Sequence, residues 1–104
     1  MKLYAENFVL EYWNEIENEK YGDMECYLYW KGHKYFVFAM TLKKIQDIMM
    51  AHSKTGECLN GSYFILKDLL ILNEITEQTL LESMQDLLSN ENTDSIATLF
   101  TKLD

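Results

Sequence analysis

The spacing of apolar residues changes along the chain, from every second position to every third or fourth. Residues 8–40 mostly alternate between apolar and polar side chains, which is typical of strands with one buried face. Residues 42–52 and 80–103 instead place apolar side chains three or four apart, which indicates amphipathic helices. Strands followed by helices predict an α+β fold, in which an antiparallel β-meander is followed by helices packed on one sheet face. The predicted order of elements is β-β-β-α-β-α-α.

The first predicted strand, residues 8–19, has two interpretations. Its aromatic and β-branched residues favour a strand with one buried side. The side chains on that side are Phe8, Leu10, Tyr12 and Ile16. The apolar residues of the same segment also fit the spacing of a helix, which stays open as the alternative. We interpret the segment as a strand that ends at the turn formed by residues 20–23.

A hairpin follows, with predicted strands at residues 24–31 and 34–40. Gly32-His33 lies between them, and glycine in the first central position predicts a type II′ turn. Thr41 is a suitable N-cap for the first helix, and Gly56 is a suitable residue to end it.

The remainder of the chain predicts one more strand and two more helices. Residues 58–62 are expected to form a loop, and residues 63–73 contain the further strand. Thr76 can cap the second helix, and either Thr93 or Asp94 can cap the last, short helix.

The chain has the size of a single domain, and we predict that residues 1–104 form one. Its residues are 48% hydrophobic and 25% charged, which is typical of a folded protein rather than a disordered one. Proline and arginine are absent, whereas lysine, asparagine, isoleucine and tyrosine are frequent. This bias indicates an AT-rich genome, such as that of a low-GC bacterium, a phage or another mobile element.

The sequence also predicts a cytoplasmic protein. Its start, M-K-L-Y-A-E-N-F, lacks the apolar stretch of a signal peptide, and no apolar run is long enough to cross a membrane. Cys26 and Cys58 are then expected to be small apolar side chains rather than a disulfide, because the cytosol keeps thiols reduced.

The net charge of −8 is distributed unevenly. Residues 6–25 carry −6 and residues 68–104 carry −7, whereas residues 26–67 carry +4. A negative field repels nucleic acids and anionic membranes, and it speeds encounter with basic proteins. We therefore expect a basic protein partner, no direct binding of nucleic acid and no membrane binding.

No motif in the sequence predicts a reaction. The cysteines and histidines lack the spacing of a zinc site, and the four glycines form no phosphate-binding loop. In a small enzyme or ligand-binding protein, the residues to consider would be Cys58 with His52, and Asp68 inside its apolar run. Their ordinary roles are a loop thiol, a half-buried histidine and a turn residue. We predict no catalytic residue, no metal site and no cofactor, and thus a protein that is not an enzyme.

Residues 27–35 form an aromatic and basic hairpin that has the composition of a platform for single-stranded nucleic acid. Its members are Tyr27, Tyr29, Trp30, Tyr35, Lys31 and Lys34. Two lysines are a weak phosphate contact against a net charge of −8. We therefore interpret the aromatic residues as core and cross-strand pairs.

The acidic run that begins at Glu11 is the predicted partner-binding site. In a strand, alternate residues of 11–19 would share one face at intervals of about 6.8 Å. Such a line of negative charge would imitate a phosphate backbone to a protein that grips nucleic acid. The predicted site residues are Glu11, Trp13, Glu15, Glu17, Glu19, Asp23 and Glu25. The alternative is a solvated edge strand that charge guards against aggregation.

Residues 11–19, E-Y-W-N-E-I-E-N-E, and the acidic segment 74–94 carry a resemblance to a known family. In size, acidity and composition, the whole chain resembles the small anti-CRISPR proteins of type II systems, which come from phages and plasmids of low-GC bacteria. Many of them bind the RNA-guided nuclease where guide RNA or target DNA would lie. The resemblance implies a non-catalytic inhibitor that blocks this engagement, although the six lysines of residues 31–67 depart from a complete nucleic-acid mimic.

Two other functions fit parts of the same pattern. An immunity protein that neutralises a bacterial toxin, often a basic nuclease, would also be small, acidic and α+β. A small enzyme or ligand-binding protein is the second alternative. The apolar positions of residues 80–103 would suit either a homodimer or closure of the core.

Overall fold

The computed structural model describes all residues from Met1 to Asp104 and is built around a six-stranded sheet. The strands are β1 Lys2–Tyr4, β2 Phe8–Glu11, β3 Asp23–Trp30, β4 His33–Thr41, β5 Leu69–Leu72 and β6 Thr101–Lys102. They follow the order β1-β2-β3-β4-β5, and β6 also pairs with β4. All pairs are antiparallel except β4–β5, which is parallel.

Four helices accompany the sheet. They are α1 Leu42–Thr55, α2 Glu57–Gly61, α3 Glu77–Ser89 and α4 Thr93–Leu99, and a 3-10 turn lies at Ile16–Glu19. The predicted α+β fold, with a meander first and helices afterwards, is confirmed. The prediction lacked β1 and β6, and it lacked the parallel pairing of β5 with β4.

One face of the sheet, the inner face, carries the core. On β3, every second side chain from Met24 to Trp30 is buried in a single cluster of 18 residues. Helix α3 adds Leu80, Met84 and Leu88 at four-residue spacing, so that its apolar stripe lies against the sheet. Each such side chain stabilises the fold by about 1.5–3 kcal/mol relative to its exposed state.

Helix α4 completes this layer through Ile96 and Phe100. The prediction that helices pack on one sheet face is therefore confirmed for α3 and α4. The apolar positions of residues 80–103 mainly close the core, although Leu99 and Leu103 stay exposed. In contrast, Ile45 of α1 is buried outside the 18-residue cluster.

The turn between β3 and β4 differs from the prediction by one residue. Trp30 pairs with His33, so the two central residues are Lys31 and Gly32. Both have positive φ, 49° for Lys31 and 78° for Gly32, which corresponds to a type I′ turn. The predicted type II′ turn at Gly32-His33 is wrong, because His33 already belongs to the β4 ladder.

The predicted ends of α1 are confirmed. The Thr41 hydroxyl accepts a hydrogen bond from the backbone N–H of Lys44 at 3.2 Å, and Gly56 ends the helix with φ 87°. The predicted loop after Gly56 is instead the short turn α2. Its residues Cys58, Leu59 and Asn60 are all in the left-handed helical region, with φ of 50°, 51° and 56°.

The N-cap of α3 is confirmed and that of α4 is corrected. Thr76 accepts from the backbone N–H of Thr79 at 3.0 Å, and the Thr79 hydroxyl accepts from the N–H of Thr76. For α4 the cap is Asn92, one residue before the predicted Thr93 or Asp94. Asn92 has Ser95 three residues later, and these two side chains form the reciprocal pair of a capping box.

The strand predicted at residues 8–19 ends at Glu11. Tyr12 remains buried, and the chain then leaves the sheet for the 3-10 turn. Local hydrogen bonds favour that turn: both the backbone N–H and the side-chain amide of Asn18 donate to Glu15. The turn also lets Ile16 pack against the core.

Candidate protein-docking face

The face of the sheet opposite the core, the outer face, carries a second set of large side chains. Side chains alternate between the two faces along a strand, so those next to Leu28 and Val37 point away from the core. The cross-strand register aligns Glu11, Tyr27 and Phe36 in one row across β2, β3 and β4. None of these three residues belongs to the core cluster or packs against it.

An aromatic row crosses the outer face. It consists of Trp13, Tyr27, Phe36 and Phe38, and successive ring centroids lie 5.1, 6.1 and 6.4 Å apart. All three contacts are edge-to-face, the arrangement that aromatic rings prefer. Trp13 at the end of the row is 63% exposed, whereas the other three are half-buried. The row therefore holds an exposed indole in a fixed position.

Three carboxylates share the outer face with the aromatic row. Glu11 is the cross-strand neighbour of Tyr27, and Glu25 and Asp23 precede Tyr27 on the same face of β3. The hydroxyl of Tyr29 donates a hydrogen bond to Glu11 at 2.8 Å and fixes its orientation. We define the docking face as Glu11, Trp13, Asp23, Glu25 and Tyr27.

The carboxylates of the docking face form no ion pair. The lysine–carboxylate pairs of the molecule are Lys20 with Glu74 at 3.7 Å and Lys43 with Asp47 at 2.6 Å. The imidazole–carboxylate contacts are His33 with Asp104 and His52 with Glu57. The negative charge of the docking face is therefore left for solvent or a partner.

Two lysines of the strands lie on the outer face: Lys34, and Lys2 of β1, which is the cross-strand neighbour of Glu11. The ammonium of Lys34 is 4.2 Å from the ring centroid of Tyr27 and 5.6 Å from that of Tyr29. A cation over an aromatic face is attracted by the ring quadrupole. The faces of the Tyr27 and Tyr29 rings are thus accessible to an ammonium group, here that of the same chain.

The structure brings four of the seven predicted site residues together and separates the other three. Glu15, Glu17 and Glu19 lie in or next to the 3-10 turn rather than along a strand. The predicted line of charge at regular strand spacing is therefore wrong. Glu17 lies toward α3, where it and Glu77 add to the burial that raises the pKa of Tyr12. Glu19 approaches Gly22 instead of the outer face.

The aromatic side chains of the β3–β4 hairpin are divided between the two faces of the sheet, which was not predicted. Tyr27 and Tyr29 are on the outer face, whereas Trp30 and Tyr35 are buried in the core. The period-two pattern of β3 carried this information, because residues an even number of positions apart share a face. Phe36 was missed for the same reason.

The residues considered for catalysis have other contacts. No hydrogen bond joins Cys58 to His52, whose Nε2 is instead 3.1 Å from a Glu57 oxygen. Asp68 is a turn residue with φ 62°. Its carboxylate accepts from the backbone N–H of Thr101 at 2.7 Å and from the Thr101 hydroxyl, and so attaches β6 to the start of β5.

The two cysteines are free and differ in environment. Cys26 is buried in the core, and burial raises its pKa to about 12. Cys58 is half-buried on α2. The histidines, cysteines and carboxylates form no group of three that would hold a metal ion.

None of the four helices has the length and apolar character that crossing a bilayer requires. Comparison of the chain with protein-family models, curated proteins and solved structures finds no match.

Proposed function

We propose that the protein is a non-catalytic inhibitor that binds a basic, nucleic-acid-handling protein through its docking face. The type II CRISPR nuclease is the first partner to test, with blocked engagement of guide RNA or DNA as the mechanism. The observation that supports the proposal most is that the exposed Trp13 contacts Tyr27 on a sheet face with three carboxylates that form no ion pair. A surface of this kind has both an apolar anchor and a charge complementary to a basic groove.

The anchor and the charges have different roles in this proposal. A buried tryptophan at an interface contributes about 2 kcal/mol or more, so Trp13 determines how long the complex lasts. An exposed carboxylate contributes at most about 1 kcal/mol. Glu11, Asp23 and Glu25 therefore act mainly on the association rate, which electrostatic attraction raises at low salt.

The aromatic row would also suit stacked bases, so nucleic acid must be weighed against protein as the partner. Lys34 and Lys2 are lysines of the outer face, and the same face also carries the carboxylates of Glu11, Asp23 and Glu25. With a net charge of −8 for the chain, the phosphate contribution to binding would be unfavourable. The charges therefore favour a protein partner.

The direct test measures binding of the purified protein to a purified type II CRISPR nuclease at low and high salt. We expect Trp13→Ala to speed dissociation at least 10-fold. The double variant Glu11→Gln and Glu25→Gln should slow association and reduce the salt dependence. The double variant Glu82→Gln and Asp86→Asn on the solvent-exposed side of α3 is the matched control and should behave like the unmodified protein.

Equal loss of binding in the docking-face and α3 variants would reject the docking face. The same would follow if binding did not change with salt. A single-stranded oligonucleotide is titrated in parallel, because tight binding to it would reject the preference for protein.

An immunity protein for a basic nuclease toxin is the second candidate, since the same acidic and aromatic face would fit it. Inhibition assays with the CRISPR nuclease and with nuclease toxins separate the two functions. We propose no catalytic step, because the thiol of Cys58 has no hydrogen bond to His52 or any other base.

A further inference from the structure

Strand β5, Leu69–Leu72, is the last strand at one edge of the sheet. It pairs with β4, and the N–H of Phe38 donates to the carbonyl of Asp68 at 2.8 Å at the start of this pairing. In a parallel ladder, every second residue of a strand directs both its backbone N–H and its C=O to the same neighbouring strand. Asp68, Leu70 and Leu72 therefore turn their backbone toward β4, and Leu69 and Ile71 turn theirs outward. Apart from the β4 ladder, no hydrogen bond in the molecule reaches the backbone of residues 69–72.

The composition of β5 does not protect this open edge. Its sequence is L-L-I-L, without charge or proline, and Ile71 is 52% exposed. The opposite edge, β1, is a three-residue strand with an exposed Lys2. Native sheets use short strands and lysines of this kind to prevent unwanted pairing. Only the β1 edge has such protection.

The chain near β5 also exposes an unusual amount of apolar surface. Half of the twelve large hydrophobic side chains that are exposed lie between residues 42 and 71. They are Leu42, Met50, Leu59, Tyr63, Ile65 and Ile71. Ile65 is the most exposed of them, at 81%. A segment with this many exposed apolar side chains is a candidate for an interaction surface.

Gly61 holds part of this surface in place. A Cβ at Gly61 would collide with the carbonyl oxygen of Met49 in α1, so only glycine lets α2 pack this closely on α1. The exposed Met50 of α1 and Leu59 of α2 therefore belong to two helices that are packed closely against each other.

The distribution of charge favours a second copy of the chain as the partner that pairs with the β5 edge. Residues 42–72 carry four lysines and three carboxylates, a net charge of +1, which leaves −9 for the rest of the chain. Two copies that meet through residues 42–72 bring nearly neutral surfaces together and keep their acidic regions apart. A strongly basic partner would instead be attracted to the acidic regions outside this segment.

We propose that the protein forms a symmetric dimer in which the β5 edges of two copies pair antiparallel. A two-fold axis makes each residue pair with its equivalent at the centre of the interface. Ile71 is the outward-directed residue nearest the middle of β5, so Ile71 of one copy lies opposite Ile71 of the other. The two six-stranded sheets then form one continuous sheet. Pairing of four residues alone would be marginal, so the proposed dimer also requires exposed apolar side chains of residues 42–71 to contact the second copy.

The dimer leaves the docking face free in both copies, because that face belongs to β2 and β3. The proposal does not depend on the identity of the partner. A complex with a two-site target would gain avidity from the second docking face.

The first test is the molar mass of the full chain, by light scattering or sedimentation equilibrium, over a series of concentrations. We expect a mass that rises from 12.3 kDa to twice that value. Ile71→Lys should remain monomeric, because it places two ammonium groups opposite each other at the axis. Tyr4→Lys is the control: it puts the same charge at an exposed residue of the opposite edge and should leave the dimer intact.

A mass of one chain at every concentration would overturn the proposal, as would an Ile71→Lys variant that dimerises like the unmodified protein. Hydrogen exchange of the unmodified chain makes the test independent of mutation. The amides of Leu69 and Ile71 should exchange quickly when dilute and slowly when concentrated. The amide of Phe38, already bonded to Asp68, should be protected throughout. Rapid exchange at Ile71 in a sample of doubled mass would place the interface elsewhere and reject the β5 edge.

Discussion

The two faces of the sheet contain similar numbers of large side chains but differ in what covers them. On the inner face, Leu28 and Val37 are completely enclosed, and the helices α3 and α4 lie over them. On the outer face, Tyr27 and Phe36 contact mainly other aromatic rings and remain half-buried. The same strands thus supply the core on one side and, in our proposal, a recognition surface on the other. Substitutions on the two faces should therefore affect different measurements.

The largest difference between the faces should appear when a leucine is truncated. Leu28→Ala removes a fully buried side chain of the inner face and should lower the free energy of unfolding by about 2–5 kcal/mol. Leu69→Ala removes the same group from a half-buried position of the outer face and should cost less than half as much. Urea unfolding at low protein concentration, where a dimer is dissociated, measures both. Equal losses would show that the outer face is packed as tightly as the core.

The second difference concerns alkaline pH and involves only the inner side of the sheet. Burial raises the pKa of Cys26 to about 12, from an ordinary 9.0, and also raises the pKa of Tyr12 and Tyr35. Between the unfolded and folded pKa values, the folded state retains a proton that the unfolded state has lost. Stability is therefore complete below about pH 9 and falls as the pH rises toward 12, by up to about 1.4 kcal/mol per pH unit for one group.

Urea midpoints measured from pH 7 to pH 11 check this expectation. Cys26→Ala removes one of the three groups and should make the decline less steep. An unchanged slope in Cys26→Ala would mean that the thiol does not contribute.

The third prediction concerns the helix that covers only the inner face. Thr76→Ala removes the N-cap of α3 and should cost about 1 kcal/mol. Because α3 has no contact with the docking face, partner binding should be unchanged in the folded variant. Thermal unfolding and a binding titration together make the comparison, and Thr76→Ser, which retains the hydroxyl, is the control.

On the outer face, Trp13→Ala should have a smaller effect on stability. The indole is mostly exposed and has one edge-to-face contact, worth about 0.5–1.5 kcal/mol. Its effect on partner binding should be larger than its effect on unfolding. A loss of stability like that of Leu28→Ala would identify Trp13 as part of the fold rather than an anchor.

The smallest effect on stability is expected for Glu25→Gln. Glu25 is exposed and has no ion pair, so the change in free energy of unfolding should be within about 0.5 kcal/mol. The association rate with a basic partner should nevertheless fall. A clear loss of stability in Glu25→Gln would indicate an internal role for this carboxylate.

The sequence predicts the local features of the fold well. The hairpin β3–β4 and the caps Thr41 and Thr76 depend on residues close together in the chain, and the pattern of a few neighbours identifies them. The end of β2 at Glu11 depends on distant contacts. The carbonyl of Lys20 accepts from the N–H of Ile75, for example, and such a contact leaves no periodic signal in the sequence. Strands β1 and β6, with three and two residues, are too short to produce such a signal.

The docking face was predictable only in part. The sequence grouped Glu11, Trp13, Asp23 and Glu25 in one predicted site, but it also included Glu15, Glu17 and Glu19, which lie in or next to the 3-10 turn. The aromatic row was not identified, because the decisive fact is the cross-strand register. Aligning Tyr27 with Phe36 requires the exact turn at Lys31-Gly32, and a shift of one residue exchanges the two faces.

The left-handed turn at α2 has a consequence for engineering the protein. Cys58, Leu59 and Asn60 each carry a side chain in a backbone conformation that costs L-residues about 1–2 kcal/mol. Glycine normally weakens a helix, but in this turn it would relieve strain that the side chains cause. Leu59 in particular could be exchanged for glycine with a gain in thermal tolerance. The same exchange would remove an exposed apolar side chain from the segment proposed to join two copies. A more heat-stable variant would therefore also be expected to self-associate more weakly.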